Sequence, residues 1–294
     1  MSNSIKDKVE EIMKISVEVV DSDKSKEDKI KEGLINKNLF RHIYNTNGDQ
    51  WELFENKIIN SIYKSRELVD VILSEPKDKK DQGRLENFII ESIEKKIRKD
   101  YGFSLRGINH TFDNYDITSN NKSFVEYVKK YADSFDVHLG KGEGFILKGK
   151  YGTGKTHLIN AMLNRFVDIK IQKNVDYSIK FGSFLRLLME IKNNFSDEQG
   201  ILNKFCSYDL LILDDFGKEY MTDWNKQILY MLINERYEKM LPMILTTNCG
   251  SKELADRMGP ASVSRLLENN VFMDFNKMDD YRIRKQKKLQ ESSR

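Results

Sequence analysis

Eight consecutive residues near the middle of the chain have the types and spacing needed to bind the phosphate groups of a nucleotide. They fit the pattern G-x-x-x-x-G-K-[ST] at every fixed position. The residues are Gly149, Lys150, Tyr151, Gly152, Thr153, Gly154, Lys155 and Thr156, and His157 follows them. The glycines let backbone N–H groups point inward at a polyphosphate. Lys155 then supplies a charge between the β- and γ-phosphates, and Thr156 offers a hydroxyl to Mg²⁺. The loop therefore predicts a site for a nucleoside triphosphate with Mg²⁺.

Two adjacent carboxylates could complete this site. The apolar run 210–213 ends in Asp214 and Asp215. A buried strand that delivers an aspartate at its carboxyl end is how many phosphate-loop enzymes hold Mg²⁺, which makes Asp214 the predicted partner of Thr156 at the metal. Asp215 is predicted to orient or deprotonate the attacking water. A strand that merely stops at an acidic turn has the same appearance, and the phosphate loop upstream favours the catalytic interpretation.

Asn248 follows another apolar run, 243–246, and could act on the terminal phosphate. If that strand lies beside the strand that carries Asp214, Asn248 lies near the γ-phosphate and can hold the water. The alternative is an asparagine that only forms a turn, because asparagine favours such positions.

Two arginines could also contact phosphate. Arg265, on a short predicted helix, could reach the nucleotide of a neighbouring subunit and neutralise developing charge. It could instead form a surface pair with Glu268 or Asp256. Arg282 could contact phosphate from a C-terminal helix, or simply belong to the solvated basic run 281–288.

A GTPase is the main alternative among nucleotide-binding proteins. Residues 214–217 spell D-x-x-G, and residues 276–279 spell N-K-x-D, the pattern that selects guanine, in the expected order. Only 15 residues follow position 279, too few for the strand and helix that complete a guanine pocket. No switch segment with a Mg²⁺-binding threonine is evident before Asp214. Because short motifs match by chance, we expect these residues not to select the base.

The remaining sequence must place these residues at one edge of a sheet. From residue 108 apolar strands alternate with helices, which predicts a parallel α/β sheet. Strands are expected at 145–147, 178–181, 210–213, 243–246 and 271–275, with helices at about 155–166, 183–194, 224–239, 261–268 and 281–288. Apolar residues at helical spacing, separated by polar breaks, predict a small all-helical domain over residues 1–100. A linker is expected over 101–111 and the α/β domain over 112–294.

Composition and charge exclude several classes of protein. Charged residues make up 32% of the chain and hydrophobic ones 39%, as in soluble globular proteins. No apolar run approaches the ~20 residues of a membrane span, and no apolar signal core is evident, so we expect a cytoplasmic protein without a membrane partner. Cys206 and Cys249 stand too far apart for a zinc knuckle or a disulfide framework. Residues 1–100 carry 20 Lys/Arg against 21 Asp/Glu, and residues 101–294 carry 29 against 25, so nucleic-acid contacts are expected in the second part.

Together these residues resemble the AAA+ ATPases of the bacterial and phage helicase-loader family, the DnaC/DnaI type. The resemblance covers roughly residues 108–290. Its most specific segments are 111–116, the phosphate loop with 156–158, 213–217, 246–248, 264–266 and 281–282. It implies an AAA+ P-loop domain, a central parallel sheet flanked by helices, after a small helical domain. It also implies that Asn248 is the sensor-1 residue, Arg265 the arginine finger acting in trans and Arg282 the sensor-2 arginine, with residues 112–115 near the adenine.

The resemblance implies partners as well. In this family an N-terminal domain grips the hexameric replicative helicase, and the ATPase domain self-associates in the ATP state and contacts single-stranded DNA. We therefore expect a slow ATPase, stimulated by DNA or partner, that loads the helicase. The helix after the second strand lines the DNA channel in such proteins, where Arg186 and Lys192 could follow the phosphates. The alternative for this leucine-rich helix is a purely structural core helix.

Three other functions remain open. One is an IstB-like ATPase that assists a transposase in target-DNA selection, and it shares nearly all the ATPase motifs. Another is a nucleotide-gated adaptor, in which ATP is held but scarcely hydrolysed. A metabolite kinase has least support, because neither a lid segment nor an acceptor pocket is evident. The helical region before the ATPase domain and the pair Tyr281-Arg282 favour the helicase loader.

Overall fold

A computed structural model describes residues 91, 94–173, 175, 177–194, 197–283, 286 and 290. The chain divides into two units, and the unit made of Arg98–Asp168 and Asp176–Arg294 contains the sheet and every predicted site residue. The helical domain predicted over residues 1–100 lies almost wholly outside the described residues, so this domain stays a prediction, as does the assignment of residues 101–111 as its linker. Within the described part of the chain, no helix is long and apolar enough to cross a membrane.

Five parallel strands form one sheet in the order β2-β3-β4-β1-β5. The strands are β1 Gly144–Lys148, β2 Ile179–Ser183, β3 Leu210–Phe216, β4 Met243–Thr247 and β5 Asn270–Asp274. Almost every residue of β1 and β4 is buried, as are the first four of β3, which is why these strands are continuous apolar runs in the sequence. The predicted parallel α/β sheet is confirmed, although β3 continues beyond residue 213 through both carboxylates.

Eight helices of the described residues surround this sheet. They are α1 Lys122–Asp133, α2 Phe135–Leu139, α3 Lys155–Lys173, α4 Phe184–Lys192, α5 Glu198–Phe205, α6 Asp223–Glu238, α7 Ser251–Met258 and α8 Pro260–Glu268. The four helices predicted between strands are confirmed, but the first runs on to Lys173 instead of ending near residue 166. Residues 91, 94–101, 281–283, 286 and 290 are also helical. The helices α1, α2, α5 and α7 are not expected from the sequence.

Neighbouring residues of β1 show that helices pack on both faces of the sheet. Phe145 packs edge-on against Tyr131 of α1. Ile146 instead belongs to the core formed by β3, β4 and the helices α4–α8. Because successive side chains of a strand point to opposite faces, these contacts define two layers of helices. The central strands are therefore buried on both faces, and their carboxyl ends are left to carry the polar residues.

A fully buried arginine joins α6 to the segments that precede β3 and β4. The Arg236 guanidinium donates to Phe205 O at 3.1 Å, Tyr208 O at 2.8 Å and Pro242 O at 2.6 Å. Burial lowers its pKa to about 10, so the group stays charged at neutral pH. These bonds hold the starts of the two central strands together and thereby help to align their ends.

Candidate nucleotide site

The polar residues predicted to act on phosphate lie at the carboxyl ends of three adjacent strands. The phosphate loop follows β1, Asp214 and Asp215 lie among the last three residues of β3, and Asn248 follows β4. Strand β4 lies between β1 and β3, which is the arrangement that the hypothesis for Asn248 requires. Crevices at the carboxyl ends of parallel strands are where open α/β sheets bind ligands.

The loop between β1 and α3 has the backbone that a phosphate cradle needs. Gly152 and Gly154 have φ angles of 74° and 92°, a region that side chains disfavour. A Cβ atom at Gly154 would lie 2.6 Å from Tyr115 Oη. Thr153 Oγ1 donates to Lys150 O at 2.9 Å, which closes the loop on itself. The loop ends at the N-terminus of α3, where free N–H groups favour an anion.

Lys155 connects the loop to the end of β4. Its Nζ donates to Gly149 O at 2.7 Å, Lys150 O at 2.8 Å and Asn248 Oδ1 at 2.9 Å. Burial of the ammonium lowers its pKa to about 8, although the nearby Asp215 and Asp214 act in the opposite direction. The Lys155 side chain thus links the phosphate loop to the amide of Asn248, which is predicted to hold the attacking water.

Thr156 and Asp214, the two predicted metal ligands, are in contact. Thr156 Oγ1 donates to the Asp214 carboxylate, with distances of 3.1 and 3.0 Å to its two oxygens. Thr246 Oγ1 lies 2.6 Å from Asp214 Oδ1 on the other side. Burial raises the pKa of Asp214, against the effect of these two hydroxyl donors. Hydroxyl and carboxylate oxygens are the ligands that Mg²⁺ prefers, so this pair fits Mg²⁺.

The described residues contain no cluster of three or more His, Cys, Asp or Glu side chains that could hold a metal. One carboxylate and one hydroxyl are nevertheless what a Mg²⁺ site needs when substrate phosphates and water supply the other ligands. The residues present therefore fit a metal that arrives with a nucleotide.

Asp215 is held by contacts with three neighbours. Its backbone has φ 58°, which is unusual for a residue with a side chain, and its N–H donates to Thr246 Oγ1 at 2.8 Å. Asn248 Nδ2 donates to Asp215 Oδ1 at 3.3 Å, and Lys218 Nζ bonds Oδ2. Asn248 and Asp215, the two residues predicted to act on the attacking water, are therefore in direct contact.

A cavity of about 400 Å³ extends from the cradle, wide enough for the rest of a nucleotide. Asn114 and Tyr115, from the segment 112–115 that the resemblance places near the adenine, line it. The imidazole of His157 stacks on His110, with ring centroids 4.3 Å apart, and its Nε2 lies 2.9 Å from Asn114 Oδ1. Burial, together with the charges of His157 and Arg106, lowers the pKa of His110 to about 4, so its ring is neutral at physiological pH.

The C-terminal segment contacts the phosphate loop directly. The Tyr281 N–H donates to Gly152 O at 3.0 Å. Asp280 Oδ1 accepts from the Arg282 N–H at 2.8 Å, and Arg282 lines the cavity. Of the N-K-x-D residues, Met278 and Asp279 line the cavity, whereas Asn276 is exposed in the 3₁₀ turn Phe275–Lys277.

Arg265 lies on α8, away from these residues and outside the lining of the cavity. Its guanidinium is 5.9 Å from the ring centroid of Tyr230 and 5.7 Å from that of Tyr237. The alternative pairing with Glu268 or Asp256 does not occur among the described ion pairs, and Glu268 accepts instead from Tyr237 Oη at 2.9 Å. Its role toward a neighbouring subunit stays a prediction.

The helix α4 combines both interpretations of its sequence. Phe184, Leu187, Leu188 and Ile191 are buried in the core. Arg186 and Lys192 are exposed, and Lys192 Nζ lies 4.7 Å above the ring of Trp224. The exposed side of this core helix carries Arg186 and Lys192 together with Leu185 and Met189, and DNA contact stays a prediction.

Sequence reasoning missed several residues of this site, and two of them, Thr246 and Lys218, contact the acidic pair. Thr246 appears only as part of a matching segment, although it lies two residues before Asn248 and so points to the same side of the chain. Lys218 lies in the loop after β3, where no periodicity or motif marks it.

Known proteins resemble this chain over most of its length. Residues 61–289 match the family model described as IstB-like ATP binding protein. The replicative helicase loader DnaC of Escherichia coli (strain K12) is 25% identical over 213 residues, 70% of this chain and 84% of that protein. The replicative helicase loader DnaI of Bacillus subtilis (strain 168) is 28% identical over 148 residues, 49% of this chain and 45% of that protein.

Solved structures agree with this result. The crystal structure of the DnaC helicase loader has a TM-score of 0.52 at 25% identity and covers 58% of this chain and 99% of that one. The crystal structure of DnaI, with a TM-score of 0.50 at 18% identity over 59% of this chain and 94% of that one, shares the fold.

Proposed function

Because the chain belongs to the family of IstB-like ATP-binding proteins, we propose that it is an ATPase that loads a replicative helicase onto single-stranded DNA in the cytoplasm. The observation that carries the proposal is the contact of the phosphate loop with both acidic and amide side chains. Lys155 bonds Asn248, Asn248 bonds Asp215, and Thr156 bonds Asp214. The similarity to the DnaC loader over 84% of that protein supports the helicase as the partner.

The residues divide the work of hydrolysis among them. Lys155, which now donates to carbonyls of the loop, would donate to phosphate oxygens. Asn248 and Asp215 would hold the attacking water, and Asp215 would accept its proton as ATP gives ADP and phosphate. Mg²⁺, held by Thr156 and Asp214, would neutralise charge on the phosphates when bound. Arg282, at the cavity wall, would contact phosphate from the C-terminal segment.

Assembly would complete the site. Arg265 lies outside the cavity of its own subunit, so it would serve the nucleotide of a neighbour. ATP would then favour self-association, with the N-terminal region gripping a hexameric helicase. Arg186 and Lys192, on the exposed side of α4, would contact the phosphates of single-stranded DNA.

We expect the full chain to co-purify with the host replicative helicase in an ATP-dependent manner. Lys155→Ala removes the charge in the cradle, so it should lower kcat on the order of 10²-fold and abolish the effect of ATP on the complex. Asp215→Asn should keep ATP binding, stop hydrolysis and trap the helicase complex. ATP turnover and the lifetime of the complex are the quantities to measure.

Three outcomes would contradict the scheme in different ways. Normal ATP hydrolysis by Lys155→Ala would mean that the phosphate loop is not part of the catalytic site. Unchanged partner turnover in Asp215→Asn would support a nucleotide-gated adaptor instead of a hydrolysing loader. Capture of a transposase in place of the helicase would support the second candidate, an IstB-like ATPase that assists a transposase, whose name the matching family model shares.

A further inference from the structure

Lys218 contacts two sides of the nucleotide cavity at once. Its ammonium forms an ion pair with Asp215 at the end of β3. The same nitrogen lies 4.9 Å from the ring centroid of Tyr151 in the phosphate loop. It also lines the cavity together with Asn248 and Lys155. One side chain from the loop after β3 therefore links the acidic strand end to the cradle across the site.

The backbone before Lys218 directs the side chain back toward the strand that it follows. Gly217 has φ 108°, and a Cβ atom there would lie 2.1 Å from Cys249 Sγ. The chain therefore turns tightly against the residue after Asn248. This turn brings Lys218, three residues after Asp215, over the carboxylate of Asp215.

Both oxygens of the Asp215 carboxylate are engaged in this arrangement. Asn248 donates to Oδ1 and Lys218 to Oδ2. Asp215 raises the pKa of Lys218 through this hydrogen bond, so the ammonium stays charged. A carboxylate that is to orient a water beside the terminal phosphate needs an oxygen turned toward that water. As long as Lys218 binds Oδ2, that oxygen faces the ammonium.

We infer that Lys218 is a positioning residue that restrains Asp215 and keeps the resting ATPase slow. Release of Lys218 from Asp215, whether by a nucleotide or by a partner that engages Tyr151, frees the carboxylate for water. The inference rests on the proposed function, because it assigns control of the rate of ATP hydrolysis at that site to a residue outside the sequence motifs. Lys218 is half-exposed, with 51% of its side chain accessible, so a partner can reach it.

The test compares steady-state ATP hydrolysis by the full chain and by Lys218→Met. Removal of the ion pair should raise kcat about two- to fivefold, the range set by an exposed ion pair, with little change in KM. Lys218→Arg, which can still bind the carboxylate, should return kcat toward the wild-type value. Lys226→Met, which removes another exposed lysine, on α6 and not part of the cavity, is the matched control and should leave kcat unchanged.

The outcomes separate this inference from the proposed function. A lower kcat with a higher KM in Lys218→Met would mean that Lys218 helps to bind ATP, and would overturn the inference while the ATPase assignment stands. An unchanged kcat would overturn it too. If the wild-type chain hydrolyses no ATP with DNA and helicase present, both the inference and the proposed function are wrong.

Discussion

At the scale of single residues, Lys155 has the most demanding environment in the site. The residue is 7% exposed, and its ammonium bonds two loop carbonyls and one amide oxygen. None of these three acceptors carries a full charge, whereas phosphate oxygens do. Binding of a nucleotide therefore replaces neutral acceptors with charged phosphate oxygens, which form stronger hydrogen bonds with the ammonium.

Nucleotide affinity should depend on pH through Lys155. Its pKa is about 8 in the free protein and rises when phosphate surrounds it. Only the charged form binds phosphate well, so affinity is constant below that pKa and weakens as pH rises through it, by up to about tenfold per pH unit. Calorimetric titration with ATP between about pH 7 and pH 9.5 measures this slope.

Lys155→Arg is the matched control, because a guanidinium stays charged over this range. Its affinity should be lower than that of the wild type but flat with pH. Equal slopes in both proteins would assign the pH dependence to another group, and a flat wild-type curve would contradict the low pKa of Lys155.

At the scale of elements, the paired ends of β3 and β4 form the acidic side of the site. Thr246 on β4 donates to Asp214 Oδ1 at 2.6 Å and accepts from the Asp215 N–H at 2.8 Å. The ladder between the two strands is irregular between Leu213 and Phe216. Such a break re-aims side chains, and it lets both carboxylates face the phosphate loop.

Thr246→Val should therefore damage the metal side of the site. The change keeps the shape of the side chain but removes a donor to Asp214 and an acceptor for the backbone of Asp215. Loss of a hydrogen bond to a charged group should lower kcat about tenfold or more. The Mg²⁺ concentration that gives the half-maximal rate should rise. A Mg²⁺ titration of ATP hydrolysis measures both effects.

Thr247→Val offers a comparison at the next position. Its hydroxyl bonds Phe216 O at 2.8 Å, so its loss should lower the melting temperature without changing the Mg²⁺ dependence. If Thr246→Val keeps the wild-type Mg²⁺ profile, the hydroxyl supports only the fold.

The sequence predicts the sheet well for a physical reason. The central strands are buried on both faces and are therefore unbroken apolar runs. Helices α5 and α7 have eight residues each, about two turns, which is too short for a clear helical period. Helix α1 has Val125, Val128 and Ala132 at helical spacing but precedes the alternation of strands and helices on which the prediction rests.

The candidate site was predictable to the extent that a motif marks its residues. The phosphate loop, Asp214, Asp215 and Asn248 are brought together as the patterns suggest. Lys218 could not be predicted, because its place depends on the turn at Gly217 and on the distance between two loops that only the folded chain defines.

At the scale of the whole molecule, α8 supplies no arginine to the nucleotide site of its own subunit. Arg265 of α8 instead lies beside the rings of Tyr230 and Tyr237 of α6. If it acts in trans, Arg265→Ala should bind ATP as the wild type does and lose hydrolysis, on the order of 10³-fold.

Mixing two inactive variants tests this directly. Lys155→Ala cannot bind ATP well but offers an intact Arg265, and Arg265→Ala has an intact cradle. Hydrolysis should return when the two are mixed and should rise with the fraction of mixed pairs. Failure to recover, together with normal activity of Arg265→Ala alone, would mean that the arginine serves only the packing of α8.

The strand order also has a consequence for how the protein is made. Strand β1 lies between β4 and β5, so Phe145 pairs with Ile244 and Val271. During synthesis at the ribosome, the glycine loop emerges about a hundred residues before either neighbour of its strand. Pairing across such a separation is slow, because the closure entropy of a long loop must be overcome first. A nucleotide can thus stabilise only a nearly complete chain. A truncated product that stops before β4 would contain the phosphate loop but would not bind a nucleotide.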